Sequence, residues 1–109
     1  MLVYIVYDIE STKPGNRRRQ KIVKKLLKTG LYRIQKSVFI GNIHKNDADE
    51  ISVFCEKMID EALKMEERDA LEDKIYIFPV SKDDFNSVRM IGAGFDKKLV
   101  ADEILALVI

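Results

Sequence analysis

The chain has one cysteine, one histidine and no tryptophan among its 109 residues. A single cysteine excludes an intrachain disulfide, and one cysteine with one histidine cannot supply the ligands of a structural zinc site. No run of apolar residues approaches the roughly 20 that a membrane-spanning helix needs. The residues before Asp8 contain no basic leader. We therefore expect neither membrane insertion nor secretion, and a cytoplasmic protein.

The sequence also lacks the motifs of several large enzyme classes. It contains no Walker loop, dinucleotide-binding glycine pattern or nucleophile elbow. With two prolines and five glycines, it has no segment that reads as a linker, and it has no internal repeat. The length suits a single domain over residues 1–109. A domain this small leaves apolar surface that a second subunit could cover.

The net charge of +1 conceals a strong asymmetry between the two halves of the chain. Residues 1–45 hold eleven basic and two acidic side chains, whereas residues 46–109 hold eight basic and sixteen acidic ones. Such asymmetry is typical of polyanion-binding proteins. Mutual neutralisation of the two halves in the fold is an equally good interpretation.

The spacing of apolar residues predicts the order strand, helix, strand, strand, helix, strand. This order is that of an α+β, ferredoxin-like βαββαβ sandwich, in which two helices cover one face of an antiparallel sheet. We expect the core to span residues 1–80. The predicted elements are a strand at Leu2 to Tyr7, a helix from Arg17 to Gly30, two strands meeting near Lys36, a helix opening at Asn46 and a strand at Lys74 to Val80.

Residues 81–109 extend beyond this plan. Ser81 to Ser87 has the composition of a polar turn, and Leu99 to Ile109 that of a last strand or short helix. Its end is a run of six apolar residues, which could add a strand to the sheet edge of a partner subunit. The sequence therefore predicts a homodimer with an exchanged C-terminal strand.

Asp8 ends the first predicted strand and begins a loop. Mg²⁺ binds carboxylate oxygens together with water and substrate phosphate, so Asp8 is a candidate metal ligand and catalytic residue. A symmetric dimer could bring two copies of it together. The alternative is an aspartate that caps a turn or the following helix.

The first helix is strongly basic, with eight positive and no negative side chains in residues 13–28. Because its apolar residues must face the core, most of this charge is expected to face solvent or a ligand. Phosphate backbones bind such surfaces by releasing counterions, although a solvated face is the alternative. The candidate nucleic-acid-binding residues are Arg17, Arg18, Arg19, Lys21 and Lys24.

Two residues of the predicted second and third strands are candidate supporting residues. The forked guanidinium of Arg33 suits a phosphate or an acidic partner residue equally well. Phe39, taken alone, would be a core residue. We exclude His44, which is expected in an exposed loop, and Cys55, which lies on the apolar stripe of the second helix.

Two segments strongly resemble the small CRISPR-associated adaptation protein family, Cas-two. They are the strand from Tyr4 to Ile9, which contains the terminal aspartate, and the Arg-x-Gln-x-Ser-Val-Phe-x-Gly run from Arg33 to Gly41. Arg19 and Gly30, which lie between these two segments, also fit the sequence pattern of the family. The resemblance covers residues 2–43 and continues more loosely through Ile75 to Val80.

The resemblance implies a ferredoxin-like homodimer with facing sheets and exchanged C-terminal strands. It implies a Mg²⁺-dependent endonuclease acting on RNA or duplex DNA, with Asp8 as metal ligand and Arg19, Arg33 and Phe39 in support. It also implies a bridge between CRISPR integrase subunits, in which the basic surface holds duplex DNA. A nuclease and a purely non-catalytic nucleic-acid-binding adaptor therefore both remain open.

Overall fold

The computed structural model describes residues 1–89, 91 and 92. Its elements follow the predicted order, with one additional helix at the end. They are β1 (Leu2–Asp8), α1 (Lys13–Lys28), β2 (Tyr32–Gln35), β3 (Val38–Asn42), α2 (Lys45–Met65), β4 (Lys74–Val80) and α3 (Lys82–Asn86).

The four strands form one antiparallel sheet in the order β2-β3-β1-β4. Central β1 pairs Ile5 with Phe39 of β3 and with Ile77 of β4. This topology confirms the predicted α+β, ferredoxin-like class. The β2–β3 bend lies at Lys36 and Ser37, as predicted.

The main core lies between one sheet face and the helices α1 and α2. Alternate residues of β1 point to this face because side chains alternate along a strand. Val3, Ile5 and Tyr7 pack there with Phe39, and the helices contribute their own apolar stripes. The helix residues of this core include Ile22, Leu26, Ile51, Cys55 and Met58. Burial raises the pKa of the Cys55 thiol to about 11, as expected for an inert core cysteine.

The opposite sheet face carries a smaller cluster around Phe85 of α3, which packs with Leu2 and Ile40. A polar turn was predicted for residues 81–87, and this prediction was wrong. The Ser81 hydroxyl accepts a hydrogen bond from the Asp84 backbone N–H at 3.0 Å, and burial of Phe85 secures the single helical turn.

The segment between α2 and β4 leaves the helix after Met65 and forms a loop. Glu67 adopts φ 51°, the left-handed conformation that turns the chain away from the helix axis. No helix in residues 1–89 has the length and apolar character needed to cross a bilayer. The predicted C-terminal strand and its exchange lie outside the described residues.

Candidate nucleic-acid and metal-binding site

An open cavity of about 390 Å³ lies beside the end of β1. We call it the Asp8 pocket. Three predicted residues, Asp8, Arg19 and Arg33, meet in it although they come from β1, α1 and β2. The described residues that line it are Tyr7, Asp8, Ile9, Ser11, Arg19, Arg33, Lys36 and Ser37.

The Asp8 side of the pocket is formed where β1 leaves the sheet. Asp8 is exposed and pairs with Lys74 at the last position of the β1–β4 register. Arg19 holds the chain just beyond it, since one guanidinium nitrogen donates to the Ile9 carbonyl at 2.9 Å. The other donates to the Asn16 side-chain oxygen at 2.6 Å. Arg19 is therefore oriented at the pocket by two contacts.

The opposite wall depends on one carbonyl oxygen, that of Lys36 in the β2–β3 turn. It accepts hydrogen bonds from the Arg33 Nε and Nη2 atoms at 3.1 and 2.6 Å. The Tyr7 hydroxyl donates to the same oxygen at 2.5 Å. These bonds fix the turn that brings Lys36 and Ser37 to the pocket. Sequence reasoning missed Tyr7, whose position directly before Asp8 was the available signal.

Phe39 is fully buried and lies beneath Arg33. The Arg33 guanidinium carbon is 5.7 Å from the centre of the Phe39 ring, within the range of a cation–π contact. The ring also packs at a tilt against Tyr7, with centroids 6.3 Å apart. Phe39 thus packs against two pocket residues, Arg33 and Tyr7, and is not itself among the described lining residues.

The charge of the pocket favours an anion. Among the described lining residues, Arg19, Arg33 and Lys36 supply three positive charges against the single carboxylate of Asp8, and two serine hydroxyls add hydrogen-bonding groups. This combination suits the oxygens of a phosphodiester.

The described part of one chain offers few ligands to a metal ion. Among the described residues, no three His, Cys, Asp or Glu side chains lie close enough together to hold one. Mg²⁺ nevertheless binds through one or two carboxylates when waters and a substrate phosphate complete its octahedron. The donor set therefore fits an ion anchored by Asp8 and completed by phosphate or by a second copy of Asp8. Within residues 1–89, 91 and 92 of one chain it does not form a complete cage.

A second positive region runs along α1, which we call the basic stripe. Its members recur every three or four residues, so they share one side of the helix over about 22 Å. All five are exposed, and none forms an ion pair with an acidic residue of the described chain. The stripe consists of Lys13, Arg17, Lys21, Lys24 and Lys28.

The basic stripe and the Asp8 pocket lie on different flanks of α1. Arg17 and Lys21 line a separate cavity shared with α2, whereas Arg19 lines the Asp8 pocket. Arg17, Lys21 and Lys24 are thus grouped on one surface, and Arg19 is grouped with Asp8 and Arg33.

Arg18 lines the same cavity as Arg17 and Lys21 but is buried there, which corrects its prediction as an outward-facing residue. Only 5% of it is exposed, and its guanidinium forms ion pairs with Asp73 at 2.6 Å and Glu66 at 3.0 Å. The hydrogen bond to Asp73 is the main reason its pKa is raised. Arg18 lies four residues before Ile22 and eight before Leu26, on their buried face. With its donors already paired, it is removed from the phosphate-binding set.

Similarity to known proteins identifies the family of the chain. The family model described as CRISPR associated protein Cas2 matches residues 1–88. No curated protein sequence gives a significant match. Among solved structures, the crystal structure of Streptococcus pyogenes Cas2 at pH 6.5 is 25% identical, with a TM-score of 0.66. The alignment covers 84% of this chain and 100% of that chain. The family match spans most of the chain and agrees with the fold, so the chain belongs to the CRISPR-associated Cas2 family.

Proposed function

We propose that this protein binds double-stranded nucleic acid as a homodimer and bridges the integrase subunits of a CRISPR adaptation complex. Membership of the Cas2 family implies the adaptation system. The observation that carries the binding proposal is the basic stripe on α1. Its five cations are exposed and form no ion pair within the described chain, so they are available to a phosphate backbone.

The stripe favours sequence-tolerant binding. Lysine and arginine contacts to phosphates set affinity and register but read no bases. About 22 Å of helix approaches two thirds of the roughly 34 Å that one turn of B-DNA occupies. A single subunit can therefore follow only a short stretch of backbone, and two subunits would lengthen the contacted stretch.

The proposed dimer buries the sheet face that α1 and α2 leave uncovered. Tyr76 and Phe78 on edge strand β4 are 47% and 48% exposed, with their rings stacked 5.8 Å apart. Tyr4 on the same face has a buried hydroxyl without a hydrogen-bond partner among the described residues. An apolar face with an unsatisfied polar atom suits a protein partner better than solvent. Facing sheets would also bring the pockets of two subunits into one assembly.

A second candidate function, metal-dependent cleavage of duplex DNA or single-stranded RNA, rests on the Asp8 pocket. Asp8 would bind Mg²⁺, which supplies charge neutralisation at a scissile phosphate and orientation of a water molecule. Arg19 and Arg33 would bind the phosphate oxygens, and the Lys36 carbonyl would keep Arg33 aimed at them. Among the described residues, the pocket lining contains no histidine or second carboxylate to act as a general base. Binding is therefore the better supported of the two functions.

Substitution Asp8→Asn separates the two functions. We expect it to abolish any Mg²⁺-dependent cleavage. The dissociation constant for duplex DNA should stay unchanged, because the Asp8 pocket and the basic stripe lie on different flanks of α1. Cleavage is measured on labelled RNA and duplex DNA, with both proteins purified in parallel. Cleavage that persists in the variant would exclude Asp8 as the metal ligand. Absence of cleavage in the unsubstituted protein would leave the adaptor function alone.

A further inference from the structure

At the loop that follows Asp8, five charged side chains form one connected cluster, which we call the charged cluster. Arg18 binds Asp73 through two nitrogens, at 2.6 and 3.2 Å, and Glu66 through a third at 3.0 Å. Arg68 binds both carboxylate oxygens of Glu10, at 2.7 and 2.8 Å. Arg18 also lies 3.6 Å from Glu10, which joins the two halves of the cluster.

The centre of the charged cluster is shielded from water. The exposed fractions of the side chains are 0% for Asp73, 6% for Arg18 and 9% for Glu10. Charges buried this far are tolerated only when their hydrogen bonds are satisfied, and removal of one partner leaves the others uncompensated. The cluster therefore has a narrow range of allowed geometries.

This rigidity reaches the backbone that follows Asp8. The Glu10 backbone N–H donates to Asp73 Oδ1 at 3.1 Å. The Glu10 carboxylate in turn accepts from the Glu72 backbone N–H at 2.8 Å. Asp73 directly precedes Lys74, the β4 residue paired with Asp8. The Asp73 carboxylate thus fixes the chain at Glu10, two residues after Asp8. Asp73 itself lies next to Lys74, the strand partner of Asp8.

We propose that Asp73 and Arg18 are positioning residues for Asp8. Asp73 fixes the start of the β1–α1 loop, Arg18 fixes Asp73, and the Asp8 carboxylate is thereby held at the mouth of its pocket. This inference rests on the proposed role of Asp8 as a metal ligand. Residues that orient a ligand from behind typically change metal affinity about 10- to 100-fold when replaced.

The test compares Asp73→Asn with the control Glu66→Gln in the full chain. In Asp73→Asn, one carboxylate oxygen becomes an amide NH₂. This group cannot accept the hydrogen bond that the Arg18 guanidinium or the Glu10 backbone N–H donates at that position. The control removes the negative charge of one Arg18 partner but leaves the Glu10 contact to Asp73 intact. Mn²⁺ alone is the probe, and its affinity at Asp8 is read from paramagnetic broadening of backbone NMR signals. Amide hydrogen exchange at Asp8 to Glu10 gives a second readout that needs no metal, and unfolding free energies are measured for both variants.

We expect Asp73→Asn to weaken Mn²⁺ binding by about tenfold or more and to accelerate exchange at Asp8 to Glu10. Glu66→Gln should leave both near the unsubstituted values even if it lowers global stability. Equal effects of the two variants, or unchanged exchange in Asp73→Asn, would overturn the inference. If Asp73→Asn does not fold, the same two measurements are made on Arg18→Lys and judged by the same criteria. A lysine ammonium cannot reproduce the hydrogen bonds that three guanidinium nitrogens of Arg18 donate to Asp73 and Glu66.

Broadening that is the same in Asp8→Asn as in the unsubstituted protein would refute the metal role of Asp8. In that case the exchange data alone decide whether Asp73 holds the loop.

Discussion

The location of the duplex-binding surface can be tested through the salt dependence of affinity. The structure assigns Lys21 and Lys24 to the basic stripe, exposed and without an acidic partner among the described residues. Each phosphate contact contributes about 0.9 to the slope of log affinity against log salt for B-form DNA. The double substitution to alanine should therefore flatten that slope by about 1.8 per subunit. Between 50 and 200 mM salt these two contacts account for about a twelvefold loss of affinity, which the variant should no longer show.

The measurement is fluorescence anisotropy of a labelled duplex at four or five salt concentrations. A double alanine variant of Lys45 and Lys82 is the matched control, because it removes the same charge from exposed sites on α2 and α3. Arg18→Gln is the second control. It should leave the slope unchanged but lower the free energy of unfolding by about 3 kcal/mol or more, because it leaves buried carboxylates unpaired.

Two results would refute the reasoning. Equal flattening by the matched control would mean that net charge, and not the stripe, governs binding. Flattening by about one unit in Arg18→Gln would mean that Arg18 leaves the charged cluster to contact phosphate.

Three further predictions concern the dimer, the response to acid and the β1–α1 loop. Replacing Tyr76 and Phe78 with serine removes about 100 Å² of exposed apolar surface per ring and should raise the dimer dissociation constant more than about tenfold. Sedimentation velocity measures it, and an unchanged constant would place the interface elsewhere. The hydrogen bonds from Arg68 and from the Glu72 backbone lower the pKa of Glu10 to about 2 from its ordinary 4.5. Because the folded-state pKa is lowered, the stability that Glu10 contributes is complete above pH 4.5 and is lost as the pH falls towards 2. The free energy of unfolding in urea should therefore vary less with pH over that range in Glu10→Gln than in the unsubstituted protein. Gly15→Ala would place a methyl group 2.0 Å from the Glu10 carbonyl oxygen and should cost about 1–3 kcal/mol, whereas wild-type stability would show that the loop can move aside.

The sequence by itself determined the order of the elements and the position of Asp8. Apolar periodicity is a local property, and it distinguishes β1 from α1 without knowledge of their partners. Asp8 follows the last apolar residue of β1, so its exposure at a strand end was also readable locally. The basic character of α1 was equally visible. The short helix α3 was not, because a single capped turn depends on the burial of Phe85 against the sheet.

Only the tertiary structure decided which charged residues act together. The neighbours of Arg18 in the helix are cations, while its acidic partners Glu66 and Asp73 lie 48 and 55 residues away. Arg18 was predicted to face outward although it lies one turn before Ile22, because no local pattern identified what would neutralise its charge in the core. Asp8 of β1 and Arg33 of β2 likewise line one pocket only because β3 lies between their strands in the antiparallel sheet. Pairing and burial of charge depend on contacts between distant segments, and so the fold decided the division between the basic stripe, the Asp8 pocket and the charged cluster.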